Sequence, residues 1–193
     1  SQLEHDATVG SQLASSYYAE GSLSTMDFLI NLDVASQTSQ SDAVICDGAV
    51  RSGKTYAMGI AFFLWAMTSF QDQRFGICGK TIGALRRNIV INLRQWLGTL
   101  FTVTEHRSEN CLVLSDRQGR QNTYYLFGGQ DESAYMLIQG IPLAGVFLDE
   151  AVLMPRSFVE QACARCSVSG SKLWFNCNPE GPEHWLYKEW IQK

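Results

Sequence analysis

The chain has 193 residues, 46% of them hydrophobic and 18% charged, which excludes disordered and fibrous classes and suits one α/β domain with a buried core. Its net charge of −4, from 15 Lys and Arg against 19 Asp and Glu, excludes a broadly basic surface, so any contact with DNA has to be local. The longest nearly apolar run, Ala57 to Met67, falls short of the roughly 20 residues that cross a bilayer, and no charged-then-apolar signal opens the chain. No membrane partner is expected, and the expected location is cytosolic.

Residues 1–41 are rich in Ser, Gln and Ala and read as a polar extension, with one short amphipathic helix around Thr25 to Val34. The domain proper is expected over 42–193. It opens on a strand, Ala43 to Cys46, followed by a Gly-rich turn and a helix from about Gly53 to Ser69. A strand at Phe75 to Cys78 and a helix from about Thr81 to Leu97 come next. This βαβα order predicts a mainly parallel sheet with helices on both faces. Two or three strands are expected between Phe101 and Phe127, with Asp116-Arg117-Gln118-Gly119 as a hairpin turn. The chain then gives a buried strand from Leu143 to Leu148, a helix near Arg156 to Ser167 and a strand from Lys172 to Asn176.

Gly48-Ala49-Val50-Arg51-Ser52-Gly53-Lys54-Thr55 fits the phosphate-loop pattern of Gly, four residues, then Gly-Lys-Ser/Thr. The preceding strand would deliver the chain to a turn whose glycines tolerate positive φ, so that successive backbone N–H groups point at phosphate oxygens. The helix that starts there adds the positive end of its dipole. Lys54 would reach the β and γ phosphates of ATP, and the Thr55 hydroxyl would ligate Mg²⁺. An apolar strand before the pattern and an apolar helix after it set this run apart from an ordinary Gly-rich turn.

The second chemical signal is an apolar strand ending in two acids, Gly145-Val146-Phe147-Leu148-Asp149-Glu150. In a parallel sheet the carboxyl ends of the strands open into the ligand crevice, so these acids should emerge beside the phosphate loop. Asp149 would hold Mg²⁺ with Thr55, and Glu150 would orient or deprotonate the water that attacks the γ-phosphate.

Taken together, Arg51 within the phosphate loop, the run Val146-Phe147-Leu148-Asp149-Glu150-Ala151, and Asn176-Cys177-Asn178-Pro179-Glu180-Gly181-Pro182-Glu183-His184-Trp185 resemble the ATPase domain of a tailed-bacteriophage terminase large subunit. The resemblance runs from about Ala43 to the end. It implies a P-loop NTPase fold of the additional-strand, catalytic-glutamate type, and a motor that drives double-stranded viral DNA into the procapsid. It also implies that Arg51 contacts the γ-phosphate and that Asn176 and Asn178 belong to a segment that senses it. A homo-oligomeric ring, the portal, the small terminase subunit and the host cytoplasm are implied as partners and location. Such subunits usually carry a nuclease domain after the ATPase, with a cluster of metal-binding acids; no such cluster follows here, so DNA cleavage is not expected of this chain.

Two other functions share parts of this pattern. A helicase-like or recombination ATPase has the same core with further motifs downstream, and a nucleotide-binding assembly module would bind ATP with little turnover. Arg86, Arg87 and Arg94 lie on one helix, the last two seven apart on a shared face, and read as a solvated face, with DNA contact or a trans-acting arginine as the sharper alternatives. Cys163 and Cys166 have the spacing of zinc ligands, but no second pair follows, and the six cysteines read as small buried hydrophobes without disulfides.

Overall fold

The structure, a computed structural model, describes residues 43–47, 54–130, 132–177, 184–186 and 188, with the side chains of Asp47, Lys54, Glu132 and Ser133 outside that description. Seven strands form one sheet: β1 (Ala43–Asp47), β2 (Arg74–Gly79), β3 (Thr102–His106), β4 (Cys111–Ser115), β5 (Gln121–Gly128), β6 (Gly145–Asp149) and β7 (Lys172–Cys177). Their order across the sheet is β1-β7-β6-β2-β5-β4-β3. The first five in that order are parallel, and β4 and β3 continue from β5 as antiparallel neighbours. This is the mainly parallel α/β sheet that the βαβα order predicts, with β7 inserted between β1 and the acid-tipped β6.

The helices are α1 (Lys54–Ser69), α2 (Ile82–Leu85), α3 (Ile91–Leu97) and α4 (Arg156–Ala164). The single helix expected from Thr81 to Leu97 is α2 and α3 joined by a π-helical turn, Arg86–Val90, in which the Ile91 N–H donates to the Arg86 carbonyl five residues back. Short 3-10 turns occupy Glu132–Leu137 and Ala151–Leu153. β6 starts at Gly145 rather than Leu143, because Leu143 makes only an isolated bridge to Cys166. The helix expected to reach Ser167 ends at Ala164 for the same reason, as the chain turns to make that bridge.

Strand alternation sorts the core into two layers. Phe75, Ile77, Tyr124, Leu126, Phe147 and Trp174 face α1, α2 and α3; Cys78, Phe127, Val146, Leu148 and Phe175 face α4 and the first 3-10 turn. The sequence of α1, apolar all round, suits a helix packed between the sheet and its neighbouring helices. Phe62 on α1 lies within 5.4–6.2 Å of the ring centroids of Phe63, Trp65, Phe75, Tyr124, Phe147 and Trp174. Gly145 makes room for this cluster, since a Cβ there would sit 2.9 Å from two ring atoms of Trp65.

The far end of α1 is fastened by β5 and the turn before it. Asn122 Nδ2 donates to the Ala66 and Phe70 carbonyls at 3.1 and 3.0 Å, and an Arg120 guanidinium N–H donates to the Met67 carbonyl at 2.8 Å. These donors add to the carbonyls at and just past the last turn of α1, the Ala66 carbonyl also accepting from the Phe70 N–H, and the cation complements the negative end of the dipole. The first turn of α1 is thereby held at the carboxyl edge of the sheet. Among the described residues no helix is long and apolar enough to cross a membrane.

Candidate active site

The carboxyl tips of β1, β7 and β6 lie side by side. Register pairs Cys46 with Asn176 and Asn176 with Asp149, so one row across three strands ends in an amide and an acid directly after the strand that leads into the phosphate-loop sequence. Thr55, in the first turn of α1, reaches over this row. Its hydroxyl donates to Asp149 Oδ1 at 3.0 Å. Asn176 Nδ2 donates to the same Oδ1 at 2.7 Å and to Thr55 Oγ1 at 2.8 Å.

The three side chains thus form a closed triangle. Asp149 and Asn176 are each 3% exposed. Burial raises the Asp149 pKa above the ordinary carboxylate value, against hydrogen bonds from Asn176, Thr55 and Asn88 that lower it. Among the described residues, no ion pair reaches this carboxylate. Among the described residues the buried Asn176 Oδ1 has no hydrogen-bond partner. A hydroxyl and a carboxylate 3.0 Å apart, backed by an amide, are hard oxygen donors of the kind that Mg²⁺ takes. Thr55 and Asp149 could therefore hold that ion, and the arrangement could place a metal-bound phosphate against the start of α1.

Glu150 follows in the left-handed region, at φ 55° and ψ 50°. The other non-glycine residues with positive φ among the described residues, Asp72 and Asn110, are types that tolerate it, whereas a glutamate there is strained. That conformation turns the chain sharply at the end of β6, and the Glu150 carbonyl accepts from the Leu153 N–H at 2.9 Å. Glu150 is half-buried at the rim of the same crevice.

Of the residues singled out from sequence, Thr55, Asp149, Glu150 and Asn176 are brought to one place. Gly48, Ala49, Val50, Arg51, Ser52, Gly53 and Asn178, and the side chain of Lys54, lie outside the described residues, as does the helix expected at Thr25 to Val34. Arg86, on the helix expected to present arginines, is tied down instead: its Nε donates to Glu105 Oε1 at 2.9 Å and its Nη2 to Asn110 Oδ1 at 3.0 Å. Arg87 is exposed. The thiols of Cys163 and Cys166 are pushed up to about 12 by burial, which leaves them protonated at neutral pH. Sequence reasoning gave Asn176 to the nucleotide but missed its bonds to Asp149 and Thr55, because a contact across neighbouring strands leaves no local pattern.

Known proteins resemble the chain in the same region. Residues 45–193 match the family described as terminase large subunit, T4likevirus-type, N-terminal. A crystal structure of the large terminase from the thermophilic bacteriophage D6E is 50% identical over 84% of this chain and 42% of its own, with a TM-score of 0.78. The same protein in complex with ADP is 47% identical over 84% of this chain and 42% of its own, with a TM-score of 0.79. Its complex with ATP-gamma-S is 48% identical over 84% of this chain and 41% of its own, with a TM-score of 0.76. This chain therefore spans less than half the length of those proteins. No curated protein matches it. The strand order, the polar triangle at the sheet's carboxyl edge and the family match over 45–193 agree, and the chain belongs to the N-terminal family of terminase large subunits.

Proposed function

We propose that residues 42–193 form an ATPase that powers the movement of double-stranded viral DNA into a procapsid. The observation that carries this reading is the contact between Thr55, in the first turn after the phosphate-loop sequence, and Asp149, at the tip of β6. ADP and ATP-gamma-S complexes of a protein 47–48% identical support nucleotide binding by this chain.

In this reading the backbone N–H groups of Gly48 to Gly53 cradle the phosphates of ATP, and Lys54 reaches the β and γ oxygens. Thr55 and Asp149 hold Mg²⁺, which when bound supplies charge neutralisation at those oxygens. Arg51 approaches the γ-phosphate from within the loop and offers a planar cation to the charge that develops there. Glu150 orients a water and takes its proton. Asn176, at the tip of β7, and Asn178 respond to the presence of the γ-phosphate, with Asn176 already bonded to both Asp149 and Thr55. Assembly as a homo-oligomeric ring, docking on the portal, cooperation with the small terminase subunit and location in the host cytoplasm belong to the same proposal.

Steady-state ATP hydrolysis measured alone, with duplex DNA and with single strands tests it. Magnesium-dependent turnover stimulated by duplex supports the packaging motor. Stimulation by single strands alone favours a helicase-like enzyme, and tight nucleotide binding without turnover favours an assembly module.

A further inference from the structure

The stretch from Lys80 to Thr104 contains no Asp or Glu, in a chain with 19 of them, and carries Lys80, Arg86, Arg87 and Arg94. It forms α2, the π turn and α3 and reaches into β3. Glu105 is the first acid after it, and its largely buried carboxylate sits between Arg86 at 2.9 Å and Arg107 at 3.3 Å. Arg86 is tied further to Asn110 Oδ1 at 3.0 Å, and Arg94 Nη2 lies 3.4 Å from the Val103 carbonyl. These contacts lay the helix along β3 and draw four arginines round one seam with a single acid among them. Arg107 is 78% exposed, and Arg87 and Arg94 are exposed as well. Among the described residues nothing bonds the Arg87 guanidinium, whose Nη1 lies 3.6 Å from where a Gly83 Cβ would stand, back along the helix toward the exposed Lys80. Asn88 and Ile91, also exposed, add no negative charge to this face. Like charges gathered in this way repel one another, and one acid does not offset them. A polyanion does, because each phosphate met by an arginine releases its counterions, whatever the net charge of the protein.

We propose that the seam between the α2–α3 helix and β3 is the surface on which duplex DNA lies, with Arg87, Arg94 and Arg107 on its phosphates and Arg86 holding the helix to the strand. The proposal rests on the reading of the chain as an ATPase that moves DNA, and it gives the DNA a place. Contacts to phosphate position a duplex without reading its sequence, as a protein that moves along DNA requires. The helix starts just beyond the carboxyl end of β2, where Cys78 pairs with Leu148, the neighbour of Asp149. The DNA surface thus begins at the same edge of the sheet as the acid-tipped strand.

The test is the affinity of the full chain for a short labelled duplex without nucleotide, read by fluorescence anisotropy over a range of salt, with ATP turnover measured alongside. Arg87→Ala, Arg94→Ala and Arg107→Ala should each lower affinity by up to about tenfold at about 0.1 M salt, and each should reduce the slope of log affinity against log salt by about one. Arg87→Lys, which keeps the charge, should restore most of the loss. Arg117→Ala, an exposed arginine at the opposite end of β4, should change neither quantity. DNA-free turnover should match that of the unsubstituted chain throughout. Unchanged duplex affinity and salt slope in the three alanine variants overturn the proposal, as does an equal loss in Arg117→Ala or an unsubstituted chain that binds no duplex. A fall in DNA-free turnover in Arg87→Ala at unchanged duplex affinity makes Arg87 part of a nucleotide site and overturns it too. If the unsubstituted chain binds duplex through these arginines but turns over no ATP, the ATPase reading fails and the DNA surface stands.

Discussion

Replacing Asn176 with Ala tests what holds the acid at the tip of β6. The amide nitrogen lies 2.7 Å from Asp149 Oδ1 and 2.8 Å from Thr55 Oγ1. With Asp149 ionised, the first bond is worth about 1.5–3 kcal/mol and the second, between neutral groups, about 0.5–1.5 kcal/mol. Thr55 keeps its own 3.0 Å bond to Asp149 in the variant, so the two losses overlap and their sum is an upper bound. We expect a destabilisation of about 2–3 kcal/mol, or roughly 5–10 °C in Tm. The dependence on pH gives the sharper test. Burial raises the folded-state pKa of Asp149, and Asn176 is the first of the bonds that lower it; removing that bond raises the pKa further. A group with a raised folded pKa contributes stability that is complete below its unfolded pKa and is lost as pH rises through the folded one. In Asn176→Ala that loss runs to higher pH and goes deeper. The gap between the two proteins is therefore full above the variant's folded pKa and narrows as pH falls, leaving about 1 kcal/mol or less from the neutral contacts. Urea unfolding of both proteins in EDTA, from neutral to acid pH, measures it. A penalty below about 0.5 kcal/mol at neutral pH, or one that does not change on acidification, refutes the claim that Asn176 holds a charged Asp149.

Glu150→Gln should lower ATP turnover by about 100-fold or more, the range for loss of a general base, while nucleotide affinity stays the same; equal turnover removes Glu150 from the chemistry. Because Glu150 sits at φ 55°, the usual ranking of helix-friendly residues inverts there: Glu150→Gly should be more stable than Glu150→Ala by about 1 kcal/mol in urea unfolding, and the reverse order would deny the strain. Glu105→Gln removes the charge that faces Arg86 and should cost about 1 kcal/mol at neutral pH. Burial works to raise the Glu105 pKa, but the hydrogen bonds and charges of Arg86 and Arg107 outweigh it and hold the pKa below the ordinary value. That stability is present above the unfolded carboxylate pKa and fades as pH falls through the folded one, and a penalty that persists in acid argues against the ion pair.

The elements with strong periodic signals stand where the sequence puts them. Val44-Ile45 and Val146-Phe147-Leu148 are apolar on both faces because helices cover both sides of the parallel sheet, and the run from Thr55 to Met67 is apolar all round because α1 packs beneath two other helices. The order of the strands is another matter. That β7 lies between β1 and β6 depends on crossover paths, which leave no local pattern, and only the resemblance to terminases pointed to the additional-strand arrangement. The π turn is equally silent, since Arg86 to Val90 has the composition of an ordinary helix and the widening shows only in the Ile91-to-Arg86 hydrogen bond. Glu150 fails a propensity reading for a physical reason: glutamate disfavours a left-handed backbone, and the position goes against local preference at the point where the proposed chemistry needs a carboxylate.

The inserted strand has a consequence for what residue can stand at its tip. With β7 between them, the strand leading to the phosphate loop and the strand carrying Asp149 are separated by two interstrand spacings, about 9–10 Å. Thr55 spans the gap by rising over β7 on the first turn of α1, which leaves Asn176 between the two partners and within reach of both. A lysine or arginine at that position would neutralise Asp149 and compete with a metal ion for it. An aspartate would repel it, and an apolar residue would leave a buried carboxylate with a single close donor. An amide meets all three constraints. It steadies the carboxylate without cancelling its charge, and its own Oδ1, buried and without a partner among the described residues, keeps an acceptor at the floor of the crevice.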